Sequence, residues 1–175
     1  METTKKHFLI VLAHPNPKSF NCAIKDETVK YIESHGHSVD VSDLYRMDFK
    51  GHAGADDFKT HLNKNELNLI NEQQNCMKLD QMSDDIKLEM KKVSKADYLI
   101  FIFPMWWGGT PSILKGWIDR VMACDFAWTN ENLFHTGMFL GKRAAIFTTS
   151  GSSEEQFSKN GGNKATLEQM LINLQ

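Results

Sequence analysis

Short apolar runs alternate with amphipathic segments along most of this chain. Residues 8–13 form an uninterrupted apolar run after His7, which is typical of a strand buried on both faces of a parallel sheet. Ser19 then stands where a helix N-cap is needed, and Gly36 stands where a left-handed residue would end that helix. The helix between them is predicted to bury five apolar residues that recur at roughly helical spacing: Phe20, Ala23, Ile24, Tyr31 and Ile32.

A second strand, a long connection and a second helix follow. Val39, Val41 and Leu44 alternate with polar residues, so they predict a strand nearer the sheet edge. Residues 50–82 show little periodicity and exceed the length of an ordinary connection, which predicts a loop that crosses the surface or covers a site. Ser83 begins the next helix, which is expected to turn three apolar residues inward: Ile86, Met90 and Val93.

Two more strands and two more helices complete the pattern. The strands are predicted at residues 97–103 and 144–149, and a last amphipathic helix is predicted from about Lys164. Between the strands, Thr110 is expected to cap a helix whose first residue is Pro111; its apolar face comprises Ile113, Leu114, Trp117, Ile118, Val121 and Met122. Alternating strands and helices force a parallel sheet covered on both faces. The prediction is one α/β domain over residues 1–175.

Three loops are expected to meet at one end of this sheet. Ligands of such sheets bind outside the carboxyl ends of the strands, at the switch point of the strand order. The loops at those ends are residues 14–21, 104–110 and 148–153. They are therefore predicted to converge on one crevice.

The first of these loops offers a site for an anion. It contains neither Gly-x-Gly-x-x-Gly nor the Gly-Lys-Ser/Thr phosphate loop, which argues against a dinucleotide Rossmann site and a nucleoside triphosphatase. The helix start nevertheless combines the His14 imidazole, the Lys18 charge, the Ser19 hydroxyl and the free N–H groups of Phe20 and Asn21, where a phosphate or pyrophosphate would fit. The alternative is that Ser19 is only a helix cap and His14 only a polar residue at a strand end.

The second loop points to a flat aromatic ligand. Trp106 and Trp107 are followed by Gly108 and Gly109, a combination that would make a poor turn but a good floor for a planar ring, because glycine lets backbone N–H groups reach the ring edge. The alternative is that both indoles are simply core residues. Residues 148–151 of the third loop are candidates for N–H and hydroxyl donors to the polar edge of such a ring.

Composition and charge remove several classes of partner. The 175 residues are 41% hydrophobic and 24% charged, and the net charge of -2 with a pI near 6.4 gives no attraction to nucleic acid or to an anionic membrane. No signal segment or apolar span is visible, so a cytoplasmic protein without membrane insertion is expected. Cys22, Cys76 and Cys124 are predicted to be reduced thiols, and neither they nor the His35/His37 pair indicates a metal site.

The motifs together resemble the NAD(P)H quinone oxidoreductases, the DT-diaphorase group of flavodoxin-like flavoproteins. The resemblance covers roughly residues 7–151 and implies a three-layer α/β/α fold with a parallel sheet of strand order 2-1-3-4-5. It also implies two-electron transfer of hydride from NADPH or NADH, through a bound flavin, to a quinone or another flat acceptor, with FAD favoured over FMN and a homodimer as the assembly. The segments that carry it are Leu12-Ala13-His14, Ser19-Phe20-Asn21 with Ala23 and Lys25, Ser42-Asp43-Leu44-Tyr45, Phe103-Pro104 through Trp107-Gly108, and Leu114-Lys115-Gly116-Trp117-Ile118-Asp119-Arg120-Val121.

The resemblance also implies roles for individual residues. The pyrophosphate and adenosine side of FAD would be bound by His14, Ser19, Phe20, Asn21 and Ala23. The isoalloxazine would lie along Pro104, Met105, Trp106, Trp107 and Gly108, with Thr148, Thr149, Ser150 and Gly151 on its other edge. Donors at Trp107, Gly108, Thr149 and Gly151 would stabilise negative charge on the reduced ring. Residues 125–130, through Trp128 and Asn130, would line the substrate pocket of the partner subunit.

Two departures from the family pattern bear on activity. The tyrosine and histidine that relay a proton in animal members correspond here to Phe157 and Asn163, so weaker stabilisation of the flavin anion and slower hydride transfer are expected. No fifth strand precedes the last residue, Gln175, so the fourth strand is expected to be an exposed apolar edge. Two alternatives are also open: a regulatory flavoprotein that resembles the ancillary subunits of potassium efflux transporters, which share these motifs, and an inactive truncated relative that only dimerises.

Overall fold

The sheet of this protein has the predicted strand order. The computed structural model describes residues 4–158, 160, 166, 169 and 170. In this part of the chain four strands lie in the order β2-β1-β3-β4, and all three pairings are parallel. The strands are β1 (His7–Leu12), β2 (Ser38–Asp43), β3 (Tyr98–Pro104) and β4 (Arg143–Thr149). The predicted order 2-1-3-4 is confirmed.

Helices cover both faces of the sheet, because successive strand residues point to opposite sides. Ile10 and Leu12 of β1 pack with α1 (Phe20–Ser34). Leu9 and Val11 belong to the larger core on the opposite face, to which the other three helices contribute. Those helices are α2 (Leu69–Leu79), α3 (Asp84–Lys95) and α4 (Ser112–Val121). The α/β/α layering follows from this alternation.

The predicted cores of α3 and α4 are confirmed, whereas that of α1 is partly wrong. Ile86, Met90 and Val93 of α3 are buried, as are Leu114, Trp117 and Val121 of α4. In α1, however, Phe20 and Tyr31 are 72% and 67% exposed, and Ala23 is also exposed. The residues that α1 buries are Asn21, Cys22 and Ile32. The apolar spacing in α1 therefore misplaced its inner face.

The ends of two helices show how far the cap predictions hold. The Ser19 hydroxyl accepts the Cys22 N–H at the start of α1, and Gly36 has the left-handed φ of 78° expected after its end. At α4 the prediction was one residue early: Pro111 is the N-cap with an extended ψ of 144°, and no side chain caps the helix. Thr110 therefore lies outside α4, since the residue at the cap has non-helical dihedrals.

Helix α2 lies inside the segment that was predicted to be a loop. Its buried residues are Glu72, Gln73 and Cys76. Hydrophobic periodicity could not find a helix whose inner face is polar. Glu72 is 1% exposed and its carboxylate accepts the N–H of Leu62 at 2.9 Å, so the preceding segment is attached to the helix by a buried carboxylate.

The outer strands are the polar β2 and the apolar β4. Within the described residues β4 is the edge strand next to β3, and Phe147 on it is 43% exposed, in agreement with the exposed apolar edge expected from the sequence. Cys22, Cys76 and Cys124 are buried free thiols. Of the helix predicted from Lys164, only Thr166, Gln169 and Met170 are among the described residues. Gln169 and Met170 are helical, Thr166 is not, and the rest lies outside the described residues.

Asp97 ties together the beginnings of three strands, and this gives a prediction for acid pH. Its carboxylate accepts the His7 N–H at 2.8 Å, its own N–H donates to the His7 carbonyl, and its carbonyl accepts the Arg143 N–H. The hydrogen bond from the His7 N–H, with the charge of Lys6, holds the pKa of Asp97 below its ordinary value despite some desolvation. A lowered pKa in the folded state stabilises the fold above the unfolded-state pKa, about 3.9, and this contribution is lost as the pH falls through the lowered value.

We therefore expect Asp97→Asn to lower the melting temperature at pH 7. The gap, which is the difference in melting temperature between this variant and the parent protein, should close as the pH falls below about 4. Thermal unfolding followed by circular dichroism from pH 7 to pH 2.5 measures both. Asp26→Asn, at an exposed position of α1, is the control and should leave the gap near zero throughout. A gap for Asp97→Asn that stays constant across this range would contradict the assignment.

Candidate active site

The three predicted loops do meet at the carboxyl end of the sheet. The Nδ2 of Asn21, in the first turn of α1, donates to the Thr149 Oγ1 at 2.8 Å. The Met105 N–H donates to the Thr149 carbonyl at 2.7 Å. His14 and Trp106 face one another with ring centroids 6.2 Å apart. Contacts therefore join the first loop to the other two, and the predicted convergence is confirmed.

One buried oxygen atom at this junction, the Asn21 Oδ1, has no hydrogen-bond partner among the described residues, and Asn21 is only 2% exposed. The Thr148 Oγ1 is also buried without a partner there, but Thr148 pairs with Phe103, so its side chain is on the face of the sheet opposite α1. A buried polar atom without a partner is costly unless a ligand or water satisfies it. The junction is therefore suited to a ligand that carries hydrogen-bond donors, such as the polar edge of a heteroaromatic ring.

The first loop presents its helix start as the sequence predicted. Asn16 shapes it: its N–H donates to the His14 Nδ1 at 3.0 Å, and its carbonyl accepts the Ser19 N–H at 3.1 Å. Among the described residues, the N–H groups of Phe20 and Asn21 make no hydrogen bond. An anion at this end of α1 would meet both of them and the positive end of the helix dipole.

The tandem tryptophans occupy a tight turn, contrary to the expectation that this sequence would make a poor one. The N–H of Trp106 donates to the Gly109 carbonyl and the Gly109 N–H donates to the Trp106 carbonyl, both at 3.0 Å. Trp107 and Gly108 have φ values of 52° and 73°, the left-handed pair of a type I′ turn. Trp107 adopts this positive φ although it is strained for a residue with a Cβ, and glycine is preferred there.

The turn holds the two indoles in different environments. Trp107 is fully exposed, whereas Trp106 is 42% exposed and lies against His14. Among the described residues, no atom beyond the adjacent residues stands within 4 Å of a Gly109 Cβ position, and beside Gly108 only the Met170 methyl does. Neither indole is a core residue, so the alternative raised for them is wrong. That the two indoles form the floor of a site for a planar ring stays a prediction.

The remaining predicted residues lie at different depths. Ser150 and Gly151 are exposed after β4, and no residue that the structure describes, beyond the adjacent ones, comes within 4 Å of a Gly151 Cβ position. Pro104 and Met105 are buried at the end of β3. Phe157 packs against the main core, and Asn163 lies outside the described residues.

The segment predicted to serve a partner subunit, residues 125–130, begins four residues after the end of α4. Trp128 lines a cavity of about 330 Å³ together with Phe139 and Lys142, whereas Asn130 is exposed. Burial, with the nearby Asp125 carboxylate, raises the pKa of the Cys124 thiol, so this thiol is protonated at neutral pH and a poor nucleophile. Sequence reasoning did not single out Gln73, which contacts this segment from α2; its amide-rich helix had no pattern that could indicate it.

Comparison with known proteins agrees with this geometry. The flavodoxin-like fold family matches residues 6–175. The chain belongs to this family. Human ribosyldihydronicotinamide dehydrogenase (quinone) is 39% identical to the chain over 159 residues, which are 90% of the chain and 69% of the human protein.

Two further relatives support the same membership. Guinea-pig (Cavia porcellus) NAD(P)H dehydrogenase (quinone) 1 is 40% identical over 154 residues, which are 87% of this chain but 56% of that longer protein. The crystal structure of a candidate quinone reductase from Klebsiella pneumoniae superposes with a TM-score of 0.91 at 34% identity, over 98% of this chain and 69% of that one. The resemblance to quinone oxidoreductases and the flavodoxin-like fold are thus confirmed.

The described residues contain neither a membrane-spanning helix nor a cluster of metal ligands. Within them, no helix is both long and apolar enough to cross a membrane. In the same residues, no group of three or more His, Cys, Asp or Glu side chains is arranged to hold a metal ion.

Proposed function

We propose that this family member is a flavin-dependent oxidoreductase that takes hydride from NADPH or NADH and gives it to a quinone. The observation that carries the proposal is the junction of the three loops, where the buried Asn21 leaves its Oδ1 without a partner among the described residues. The name of the guinea-pig relative supports the same reaction, and the name of the human relative supports a quinone as acceptor with ribosyldihydronicotinamide as its donor. They give no support to the transporter-regulating alternative.

The residues of the junction would hold the flavin at both ends. The free N–H groups of Phe20 and Asn21, with the Ser19 hydroxyl and His14, would bind its phosphate. The unpartnered Asn21 Oδ1 would accept a hydrogen bond from a donor of the ring or its side chain. Met105 and Trp106 would lie beside the ring, as would Pro104, Trp107 and Gly108 on the same strand end and turn.

When bound, the flavin would supply the hydride transfer itself, and the protein would supply orientation and electrostatics. The N–H groups of Gly108 and Gly151 would face negative charge on the ring, with those of Trp107 and Thr149 nearby, and oriented donors of this kind stabilise such charge without reorganisation. Because Trp107 is fully exposed, its indole is free to pack on a flat substrate. We assign these four residues the catalytic role on this basis.

The direct test uses purified protein reconstituted with flavin. We expect a yellow protein whose absorption near 450 nm is bleached by NADPH or NADH under anaerobic conditions and is recovered on adding menadione, about one equivalent of each per flavin. Protein that folds but stays colourless with excess FAD and FMN would overturn the proposal. We also propose FAD as the flavin bound in cells; heat release and mass measurement would distinguish it from FMN.

Asn21 gives a prediction that does not depend on turnover. Asn21→Leu keeps the size of the side chain but removes the bond to Thr149 and the unpartnered oxygen, so the flavin Kd should rise about 10-fold. Quenching of flavin fluorescence on titration measures the Kd. Asn16→Ala, which alters the loop outside the buried junction, should change the Kd less; equal effects of the two variants would argue against a specific role for the buried amide.

The assembly and location are also proposals. A homodimer in which Trp128 and Asn130 face the partner's site follows from the family resemblance. Light scattering of the flavin-loaded protein tests the stoichiometry, and a monomeric mass would exclude the shared pocket. Cytoplasmic location remains a prediction that cell fractionation tests.

A further inference from the structure

The buried side-chain amide of Gln73, on α2, hydrogen-bonds to backbone groups at the end of α4. Gln73 is 8% exposed. Its Nε2 donates to the Asp119 carbonyl at 3.2 Å, and its Oε1 accepts the Cys124 N–H at 3.1 Å. The Gln73 side chain therefore bridges a carbonyl in the last turn of α4 and an N–H that lies three residues after the helix ends.

This bridge satisfies groups that the helix cannot satisfy itself. The last four carbonyls of an α-helix lack intrahelical partners, and Asp119 is among the last residues of α4. No glycine ends this helix; its C-cap is Met122, whose N–H bonds to the Ile118 carbonyl. Gln73 supplies from outside the hydrogen bonds that a local C-terminal motif would otherwise provide.

The segment that follows depends on where Cys124 is held. Asp125 has a left-handed φ of 66°, and its N–H donates to the Trp128 carbonyl at 2.9 Å. Cys124 and Trp128 are also paired as a bridge. Residues 124–128 thus form a small closed loop, and Gln73 binds the backbone at its base. Trp128 then forms one wall of the cavity that Phe139 and Lys142 share.

We infer that Gln73 is a positioning residue for the loop 124–128 and, through Trp128, for the quinone. The effect on the quinone rests on the proposed function, in which this loop lines the substrate pocket; the effect on the loop does not. Without the amide, the Cys124 N–H and the Asp119 carbonyl lose their buried partner and the loop can shift. Flavin binding, which uses the loops around Asn21 and Thr149, should be unaffected.

The test replaces Gln73 by Met, which has a similar length but offers no comparable donor or acceptor. In the flavin-loaded enzyme we expect the KM for menadione to rise about 10-fold, with kcat changed less than about 3-fold and an unchanged flavin Kd, because the lost bonds position the substrate wall rather than the ring. Hydrogen exchange of peptides covering residues 122–129 should accelerate about 10-fold or more.

Gln73→Glu provides a partial rescue that a merely space-filling role would not show. A protonated carboxyl can donate to the Asp119 carbonyl and accept from Cys124, whereas an ionised one cannot donate. Burial at this position should raise the pKa of the carboxyl above its ordinary value of about 4.3, so that a larger share is protonated at pH 5.5 than at pH 8. The KM of this variant should therefore fall towards the parent value at pH 5.5 and rise towards pH 8, with no such slope in Gln73→Met.

Asn71→Leu, at an exposed position of the same helix, is the matched control and should change neither KM nor exchange. Exchange of residues 122–129 that is unaltered in Gln73→Met would overturn the inference. Faster exchange with an unchanged KM would overturn only its extension to the quinone, and absence of menadione reduction by the parent protein would overturn the proposed function while the exchange result still decides the role of Gln73.

Discussion

Gly116→Ala should lower the free energy of unfolding by about 3 kcal/mol or more, since inserting atoms into a packed contact costs 1–3 kcal/mol when neighbours can move and more when they cannot. A Cβ at this position would stand 2.2 Å from the backbone carbonyl carbon of Gly51. Helix α4 therefore touches the chain after β2 backbone to backbone. The reverse contact is also tight, because a Cβ on Gly51 would stand 3.1 Å from the Ile113 Cα.

Chemical denaturation followed by tryptophan fluorescence measures the change in unfolding free energy. Gly109→Ala is the matched control: in the described part of the chain nothing beyond the adjacent residues stands within 4 Å of its Cβ position, so its effect should stay within about 0.5 kcal/mol. Similar losses in the two variants would show that loss of glycine as such, rather than the contact with Gly51, sets the stability. Because α4 begins directly after the tandem-tryptophan turn, displacement of the helix by Gly116→Ala should also weaken flavin binding.

Arg120→Met should destabilise the fold by about 3–5 kcal/mol, because it leaves a buried carboxylate without its main counter-charge. The Arg120 side chain is 2% exposed, and its Nε donates to the Asp57 Oδ1 at 2.9 Å. Its other donors reach Asp85 and the Lys50 carbonyl, and the guanidinium lies over the Phe49 ring at 4.7 Å. A methionine would fill much of the space but satisfy none of these acceptors.

The partners of Arg120 allow the assignment to be checked. Lys115→Met removes an exposed pair with Asp119 on the same helix and should cost less than about 1 kcal/mol. The double variant Arg120→Met with Asp57→Asn should lose less unfolding free energy than the sum of the losses in the two single variants, because either change alone already removes the interaction between the side chains. Additive losses in equilibrium unfolding would exclude a direct coupling between the two side chains.

Both predicted effects concern the contact of residues 49–57 with α4, which we call the joint. Gly51 lies under α4 and Lys50 pairs with the Asp57 carboxylate at 3.0 Å, so residues 49–57 are bound to α4 by close backbone contact and by buried charge. This joint holds in place the helix that follows the candidate ring site and precedes the loop 124–128. Its integrity should therefore matter for the site although none of its residues lies there.

Much of the fold and of the site could be predicted from the sequence. The uninterrupted apolar runs that became β1 and β3 predicted strands buried on both faces, and strands of that kind require helices on both sides. Ser19 and Gly36 marked the ends of α1 because their side chains, or the lack of one, act locally. The convergence of the three loops followed from topology alone, since parallel strands bring their carboxyl ends to one edge.

Only the tertiary structure decided the features in which a residue's partner is distant in the chain. Helix α2 escaped prediction because it buries Glu72 and Gln73, whose partners lie at Leu62, Asp119 and Cys124. The turn at Trp107 was unexpected for a different, local reason: two hydrogen bonds between Trp106 and Gly109 close it although Trp107 must take a positive φ that glycine prefers. The local pattern of apolar and polar residues reflects only the preferences of residues that are near in sequence. A buried polar group is stable only with a hydrogen-bond partner, and the fold brings that partner from a distant part of the chain. The sequence alone therefore could not reveal a helix such as α2.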